Sequence, residues 1–293
     1  MSNFEIITDS ACNLSEETIE KLGIHILTLS YIINDISKPG YEKGQKLDYK
    51  AFYDQLRNKV KASTSQVTSP MADDFVRPLL ESGKDILYIG MSSGLSGTFE
   101  AVAVALKALQ EEFPDRKILF EDTLSAGLGQ GLLVELACKL RDEGKNIEEI
   151  HKWISDNKLK QNIWFTIEDL FHLQRGGRIS TAKAFIGSAL GVKPILIMDE
   201  NGKLVNVDKA RGRKKSLDYL VDKAVERVNK EFPVDIRLMH GNCVEDAQYV
   251  ATQIQERIKD VNSVNIEFLE PVIAVHGGPG IVGLIFMGST RVL

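Results

Sequence analysis

The chain is organised around the stretch Asp85-Ile-Leu-Tyr-Ile-Gly-Met-Ser-Ser-Gly-Leu-Ser-Gly-Thr98. Residues 86–91 are an apolar run of strand length, and residues 92–98 are mostly glycines and hydroxyl-bearing side chains. After this loop, apolar side chains recur with the spacing of one helix face, at positions 99, 102, 106, 109 and 113. The pattern predicts a strand, a loop and a helix start, which is how α/β folds build an anion site.

The loop at residues 92–98 contains no lysine, so it is not the phosphate loop of nucleotide-binding proteins, which requires Gly-Lys-Ser/Thr. The hydroxyls of Ser92, Ser93, Ser96 and Thr98 can donate hydrogen bonds beside the free N–H groups of the helix start. A single carboxylate suits such a weakly charged cradle better than a triphosphate. Taken alone, the same residues are also consistent with a simple turn and helix cap.

Length and composition indicate a globular protein of 293 residues, enough for one large or two ordinary domains. The formal net charge of −5 argues against nucleic-acid binding driven by bulk charge. No apolar run approaches the roughly 18 residues of a transmembrane helix, and the N-terminus enters a strand at once, so we expect no membrane span and no signal peptide. The three cysteines are far apart in sequence and form no disulfide framework, which favours a cytoplasmic location.

Residues 1 to about 160 alternate predicted strands and helices, which indicates a mostly parallel sheet covered by helices. Asp9-Ser10, the loop at residues 92–98 and Asp122-Thr123 each follow one of these strands. Ligands of such sheets bind outside the carboxyl ends of the strands. We therefore expect the ligand of this domain at the edge where these polar residues lie.

Residues 161–293 have a different pattern, in which predicted hairpins alternate with helices. Two apolar runs flank Asp199-Glu-Asn-Gly202, and Asn-Gly between such runs is the strongest short signal for a hairpin. This half is expected to be an α+β domain with a partly antiparallel sheet. The sequence thus predicts two domains, residues 1–160 and residues 161–293.

Four further motifs consist of polar, basic or glycine-rich residues that could contact a ligand. Thr64-Ser65-Gln66 supplies donors within a predicted polar loop, and Arg175-Gly-Gly-Arg178 suits recognition of a carboxylate or phosphate. Arg211-Gly-Arg-Lys-Lys215 is the most basic run and precedes Ser216, which is predicted to cap a helix. His276-Gly-Gly-Pro-Gly280 is predicted to turn sharply after a strand, beside a histidine that can donate to an anion. Each motif alone is also consistent with a turn or a solvated surface.

A serine hydrolase is the alternative function. Ser96, a later aspartate and His276 follow the chain order of an α/β-hydrolase triad. However, Thr98 stands where the nucleophile elbow needs its second glycine, and the only candidate base lies within the same His-Gly-Gly that resembles an oxyanion-hole motif. A metal site is not expected, because His240 and Cys243 have no further cysteine or histidine nearby in sequence.

Taken together and in order, five motifs resemble those of the DegV family, bacterial fatty-acid-binding proteins that include the FakB subunits of fatty acid kinase. The five are Ile7-Thr-Asp-Ser10, Thr64-Ser-Gln66, Ser92-Ser-Gly-Leu-Ser-Gly-Thr98, Gly176-Gly-Arg-Ile179 and His276-Gly-Gly-Pro-Gly280. Each is weak alone, whereas the ordered set is specific and spans nearly the whole chain. One departure is Val67, which stands where many members have proline.

The resemblance implies two α/β domains, with one long-chain, palmitate-like fatty acid buried in a cavity that residues 161–293 complete. It implies that Thr64 and Ser96 hold the fatty-acid carboxylate. A supporting polar network would include Arg178, Arg211 and His276. In the basic run, Arg213 and Lys214 are alternatives to Arg211.

The family's known role implies a carrier rather than a catalyst. The protein would present the carboxylate to a separate ATP-dependent fatty acid kinase and carry the acyl-phosphate product onward. Apart from the bound fatty acid, we expect no cofactor and no metal, no nucleic-acid partner and at most transient contact with a membrane.

Overall fold

The computed structural model describes residues 3–178, 191–229 and 231–291. Contacts between Cα atoms divide the chain into two compact units. Unit 1 comprises Met1–Ile32, Ser37–Gln45 and Thr64–Lys158, and unit 2 comprises Ile33–Ile36, Lys46–Ser63 and Leu159–Leu293. Within the described residues, no helix is both long enough and apolar enough to cross a membrane.

The described β-strands and α-helices largely alternate along the chain. They are β1 (Phe4–Asp9), α1 (Glu16–Leu22), β2 (His25–Leu27), β3 (Ser30–Ile33), β4 (Ile36–Pro39), α2 (Tyr49–Arg57), β5 (Ala62–Ser65), α3 (Ser69–Glu81), β6 (Asp85–Gly90), α4 (Thr98–Glu112), β7 (Ile118–Asp122), α5 (Leu128–Asp142), α6 (Ile147–Asn157), β8 (Gln161–Thr166), α7 (Phe171–Arg175), β9 (Val192–Met198), β10 (Leu204–Arg211), α8 (Arg213–Arg227), β11 (Val234–His240), α9 (Val244–Arg257), β12 (Val261–Phe268), α10 (Pro271–Gly277) and β13 (Val282–Met287).

Unit 1 contains a four-stranded sheet of order β2-β1-β6-β7, in which every neighbouring pair is parallel. The central strand β6 is almost entirely buried, as expected when helices cover both faces of a parallel sheet. Local signals set the helix starts. Ser15 Oγ accepts from Thr18 N, and Asn146 and Glu149, whose spacing of three residues predicts a capping box, form one. The predicted parallel α/β architecture of the first half is confirmed.

Unit 2 contains a six-stranded mixed sheet of order β10-β9-β8-β13-β11-β12, in which β11 and β12 are parallel and the other pairs antiparallel. The turn before Gly202 joins β9 and β10 into the predicted hairpin, with Asp199 Oδ1 accepting from the N–H groups of Asn201 and Lys203. Apolar side chains of α8 and α9 pack with those of the sheet in one core, which includes Leu220, Ile236 and Ile254. The predicted partly antiparallel sheet is confirmed.

Some local expectations are wrong. Thr64 lies in a short strand, β5, rather than in a polar loop, and β5 joins β3 and β4 in a small third sheet. His276 lies in the last turn of helix α10, not after a strand. Helix α8 begins at Arg213 after the N-cap Gly212, and Ser216 Oγ donates to the carbonyl of Arg213 instead of capping the helix. The sequence also predicts a helix that follows the turn at residues 174–180 and ends near residue 190, but residues 179–190 lie outside the described residues.

Candidate functional site

The carboxyl end of β1 is fixed by the side chain of Asp9, which is fully buried. Its Oδ2 atom accepts from the Tyr88 hydroxyl at 3.0 Å and from Met91 N at 2.9 Å, and Oδ1 accepts from Ala11 N at 3.1 Å. Burial raises the pKa of Asp9 above its usual value, although these hydrogen bonds act in the opposite direction. Asp9 therefore holds the chain where it leaves β6 and enters the glycine- and serine-rich loop.

A second carboxylate holds the same loop from β7. Asp122 Oδ2 accepts from Ser93 N at 3.2 Å, and Oδ1 accepts from Leu124 N at 2.8 Å. Thr123 Oγ1 donates to the carbonyl of Gly90 at 2.8 Å. The three sets of polar residues at the strand ends do meet at one sheet edge, and there Asp9 and Asp122 bind backbone N–H groups.

Ser96 is half-buried within this loop. Its Oγ accepts from Thr98 N at 3.2 Å and lies 2.9 Å from Thr98 Oγ1. When the Thr98 hydroxyl is the donor in that pair, Ser96 Oγ accepts two hydrogen bonds and its own hydrogen is left for an external acceptor. Ser96 also lies next to Gly97, the N-cap of the 15-residue helix α4, whose dipole favours an anion.

The motifs Thr64-Ser65-Gln66 and Ser92–Thr98 meet in unit 1. Gly97 has an ordinary φ of −73°, so its backbone does not require glycine. A Cβ at Gly97 would lie 2.7 Å from Gln66 Oε1, which is too close for a real contact. The Gln66 amide therefore occupies the space that a side chain at position 97 would fill. Thr64 is half-buried in β5, two residues before Gln66.

His276 lies in unit 2, at the end of α10. Glu270 caps this helix, since its side chain accepts from Val272 N at 2.6 Å and Ile273 N at 2.7 Å. Burial, followed by the positive charges of Arg178 and Arg175, lowers the pKa of His276 to about 4. The ring is therefore neutral near pH 7, and one of its nitrogens carries the proton and can act as a donor.

The turn after His276 is surrounded closely by other parts of unit 2. A Cβ on Gly278 would lie 2.5 Å from the His172 ring, and a Cβ on Gly280 would overlap the Glu168 carboxylate. The Arg213 guanidinium donates to the carbonyl of Gly280 at 2.7 Å and is paired with Asp246. The segment from residue 168 to residue 176 and the start of α8 thus fix the shape of this turn.

The two arginines that the resemblance assigns to a polar network are both exposed. Arg178 donates to the carbonyl of Gly176, and Arg211 is the last residue of β10. Arg213 is the residue of the basic run that contacts the His-Gly-Gly-Pro-Gly turn. Sequence reasoning did not separate Arg213 from Arg211, because charge density alone gives neighbouring cations the same signal.

Two buried groups at this site were missed in the sequence. Gln130 of α5 is fully buried, and its Nε2 donates to Thr8 Oγ1 at 2.9 Å, next to the Asp9 carboxyl. Tyr88 of β6 is also fully buried and looks in the sequence like an ordinary aromatic core residue. A glutamine within the apolar stretch of α5 was the available signal, since buried amides need hydrogen-bond partners.

Among the described residues, no group of three or more histidine, cysteine, aspartate or glutamate side chains could hold a metal ion.

Comparison with known proteins gives one consistent result. Residues 3–289 match the model of a family described as uncharacterised proteins of the DegV family. A DegV domain-containing protein of Clostridium perfringens is 40% identical over 293 residues, which is 99% of each chain. Among solved structures, a fatty-acid-binding DegV family protein from Streptococcus agalactiae has a TM-score of 0.86 at 28% identity and covers 99% of this chain and 100% of its own. DegV of Bacillus subtilis, described as a fatty-acid-binding protein, has a TM-score of 0.81 at 30% identity with the same coverage.

Proposed function

This chain belongs to the DegV family, and from that premise we propose that it binds one long-chain fatty acid, palmitate-like in size, with Thr64 and Ser96 holding the carboxylate. The observation that carries the proposal is the full-length likeness to two DegV proteins described as fatty-acid-binding. The loop geometry around Ser96 supports it, because a hydroxyl donor at a helix N-terminus suits a single negative charge.

The acyl tail and the carboxylate of a fatty acid contribute to binding in different ways. Each buried CH₂ contributes about 0.8 kcal/mol, so a tail of sixteen carbons gains on the order of 10 kcal/mol before the cost of ordering it. An unpaired buried carboxylate would offset much of this gain. Donors such as Ser96 therefore hold the head group in one orientation, and the tail supplies most of the affinity.

The supporting network is proposed to include Arg178, Arg211 and His276. His276 is suited to this because its low pKa keeps the ring neutral, so one N–H can donate without a second buried charge. Arg178 and Arg211 are exposed, and guanidinium groups suit recognition of a carboxylate or a phosphate. We infer that the partner is an ATP-dependent fatty acid kinase, to which this protein presents the bound carboxylate for acyl-phosphate formation.

The direct test is denaturing mass spectrometry of the purified protein, which is expected to release a long-chain fatty acid. Protein stripped of lipid is then titrated with palmitate. Ser96→Ala and Thr64→Ala are each expected to weaken binding about 10-fold or more, since each removes a hydrogen bond to a charged group. Ser65→Ala is the matched control, because Ser65 is exposed and alternates with Thr64 along β5. Stripped protein that takes up no palmitate contradicts the proposal, and unchanged affinity in both variants contradicts the site.

A serine hydrolase is distinguished by turnover. Such an enzyme would release the alcohol of an acyl ester and lose this activity on Ser96→Ala, whereas a carrier yields no product.

The kinase role is tested separately, by adding a fatty acid kinase and ATP to the loaded protein. Acyl phosphate is expected only when protein, kinase and ATP are all present.

A further inference from the structure

Two adjacent glycines follow α7, and each is glycine for a different physical reason. Gly177 has a φ of +70°, a region that side chains rarely adopt, and a Cβ there would meet nothing within 4 Å. Gly176 has an ordinary φ of −74°, so its backbone accepts any residue. A Cβ at Gly176 would instead overlap Nδ1 of His276. The first glycine is needed for backbone conformation and the second for the approach of an imidazole ring.

The contact between Gly176 and His276 leaves little room for adjustment. Gly176 N donates to the carbonyl of His172 at 3.0 Å, which fixes the backbone under the ring. That same carbonyl oxygen would lie 3.3 Å from a Cβ at position 176. On the other side, His276 belongs to α10, whose last turn closes with a hydrogen bond of 2.8 Å from Gly278 N to the carbonyl of Ala274.

A second contact of the same kind runs in the opposite direction. His172 of α7 lies over Gly278, the residue that ends α10, and a Cβ there would be 2.6 Å from its Cγ atom. Each of the two helices therefore places a histidine ring against a glycine of the other segment. Two such contacts fix both the position and the rotation of α10 relative to α7.

We propose that Gly176 is a positioning residue for His276: its missing side chain sets where the imidazole lies and hence where its N–H points. The inference rests on the proposed function, in which His276 supports the fatty-acid carboxylate. A methyl group at position 176 displaces the ring, and with it the N–H that the proposed function directs at the carboxylate. Gly176 itself touches no ligand in this scheme.

The contrast between the two glycines provides the test. Gly176→Ala in the full chain, stripped of lipid and titrated with palmitate, is expected to bind about 5- to 10-fold more weakly than the wild type. Gly177→Asn is the matched control, because asparagine tolerates positive φ and position 177 is open, and it is expected to stay within about twofold. Equal affinity of Gly176→Ala and wild type overturns the inference.

A double-mutant cycle shows whether the effect passes through the ring. In a His276→Ala background the obstacle is gone, so adding Gly176→Ala is expected to change palmitate affinity less than about twofold. The same cycle applies to the thermal midpoint, which His276→Ala should partly restore in a Gly176→Ala protein. An effect of Gly176→Ala that is equally large in both backgrounds means that the glycine acts independently of His276, and this result also overturns the inference.

A readout without lipid separates this inference from the proposed function. NMR titration of the His276 ring is expected to show its pKa rising from about 4 toward 6.5 in Gly176→Ala, because the ring leaves its buried place beside Arg175 and Arg178. Gly177→Asn should leave the titration unchanged. If wild-type protein takes up no palmitate yet the titration moves as expected, the function is wrong and the positioning role stands. An unchanged titration in Gly176→Ala contradicts the positioning role.

Discussion

The two units hold their glycine-rich loops by opposite means. In unit 1, the carboxylates of Asp9 and Asp122 accept hydrogen bonds from the backbone of the loop at residues 91–93 and fix it by polar contacts. In unit 2, the rings of His276 and His172 lie on glycines and fix the turn by close packing. The first arrangement is sensitive to loss of an acceptor, and the second to added volume.

This difference has a physical basis. A fully buried carboxyl is tolerated only where several donors form hydrogen bonds to it. Removing the carboxyl leaves each of these buried donors without its acceptor, which lowers the stability of the folded protein. A ring against a glycine forms few hydrogen bonds at the contact, but interior packing leaves no space for even one methyl group. Substitutions that break one arrangement should therefore leave the other intact.

The largest effect is expected from Asp9→Ala. It removes the acceptor for three buried donors, Tyr88 Oη, Met91 N and Ala11 N, so we expect a loss of about 4 kcal/mol in the free energy of unfolding. Urea denaturation followed by circular dichroism measures it. A loss below about 1 kcal/mol would mean that Asp9 does not hold the loop.

Asp9→Asn is the control, since it keeps the shape and one acceptor oxygen. The folded-state pKa of Asp9 is raised above 3.8 by burial. The contribution of Asp9 is therefore greatest below pH 3.8 and declines as the pH rises through the folded-state pKa. Relative to Asp9→Asn, the wild type should thus lose stability with rising pH. A difference in unfolding free energy between wild type and Asp9→Asn that does not change with pH contradicts this prediction.

The second effect is a pH dependence in unit 2. The pKa of His276 is about 4 in the folded protein and 6.5 when unperturbed, so unfolded chains bind more protons between these values. The stabilisation is complete above pH 6.5 and falls by about 3 kcal/mol as the pH drops to 4. Urea denaturation at pH 7.5 and 4.5 measures the loss, and His276→Gln should reduce it. An equal loss in His276→Gln would assign it to other groups.

Tyr53→Phe should have an intermediate effect confined to unit 2. The buried Tyr53 hydroxyl donates to the carbonyl of Leu269 at 2.8 Å and ties α2 to the segment just before α10. Without it, the carbonyl loses this donor, and we expect a loss of about 1–2 kcal/mol in unfolding free energy. Tyr249→Phe, which removes a surface hydroxyl bonded to Asp218, is the control and should cost less. Equal costs would mean that burial of the Tyr53 bond does not matter.

The smallest effect is expected from Gly97→Ala in unit 1. The obstacle there is the amide of Gln66, which is exposed and can rotate away. We therefore expect a change within about 0.5 kcal/mol. Differential scanning fluorimetry of Gly97→Ala and Gly176→Ala compares the two glycines directly. A larger drop in melting temperature for Gly97→Ala than for Gly176→Ala would reverse the comparison between the units.

Local periodicity and short motifs predicted much of this fold. The apolar run before Gly90, the helix period after Thr98, the Asn146 capping box and the Asn-Gly hairpin all have counterparts in the structure. Each of these signals depends on residues a few positions apart, which is why a single sequence displays it.

The remaining features either depend on distant partners or lie in segments too short to show a pattern. Thr64 lies in a strand although its neighbours are small and polar, because β5 pairs within a sheet whose other members come from elsewhere in the chain. His276 lies in a helix that Glu270 and Pro271 start, and this helix is too short to show a period. Arg213 is distinguished from Arg211 only by its contacts with Gly280 and Asp246.

The sequence by itself determined most of the order of strands and helices, the two kinds of sheet and the five motifs that mark the DegV family, because all of these are encoded locally. The tertiary structure decided which polar groups face each other. Asp9 accepts from Met91 across 82 residues of sequence, and His276 lies on Gly176 from a different helix. No local pattern specifies such pairs, because they exist only once sheets and helices have brought distant segments together.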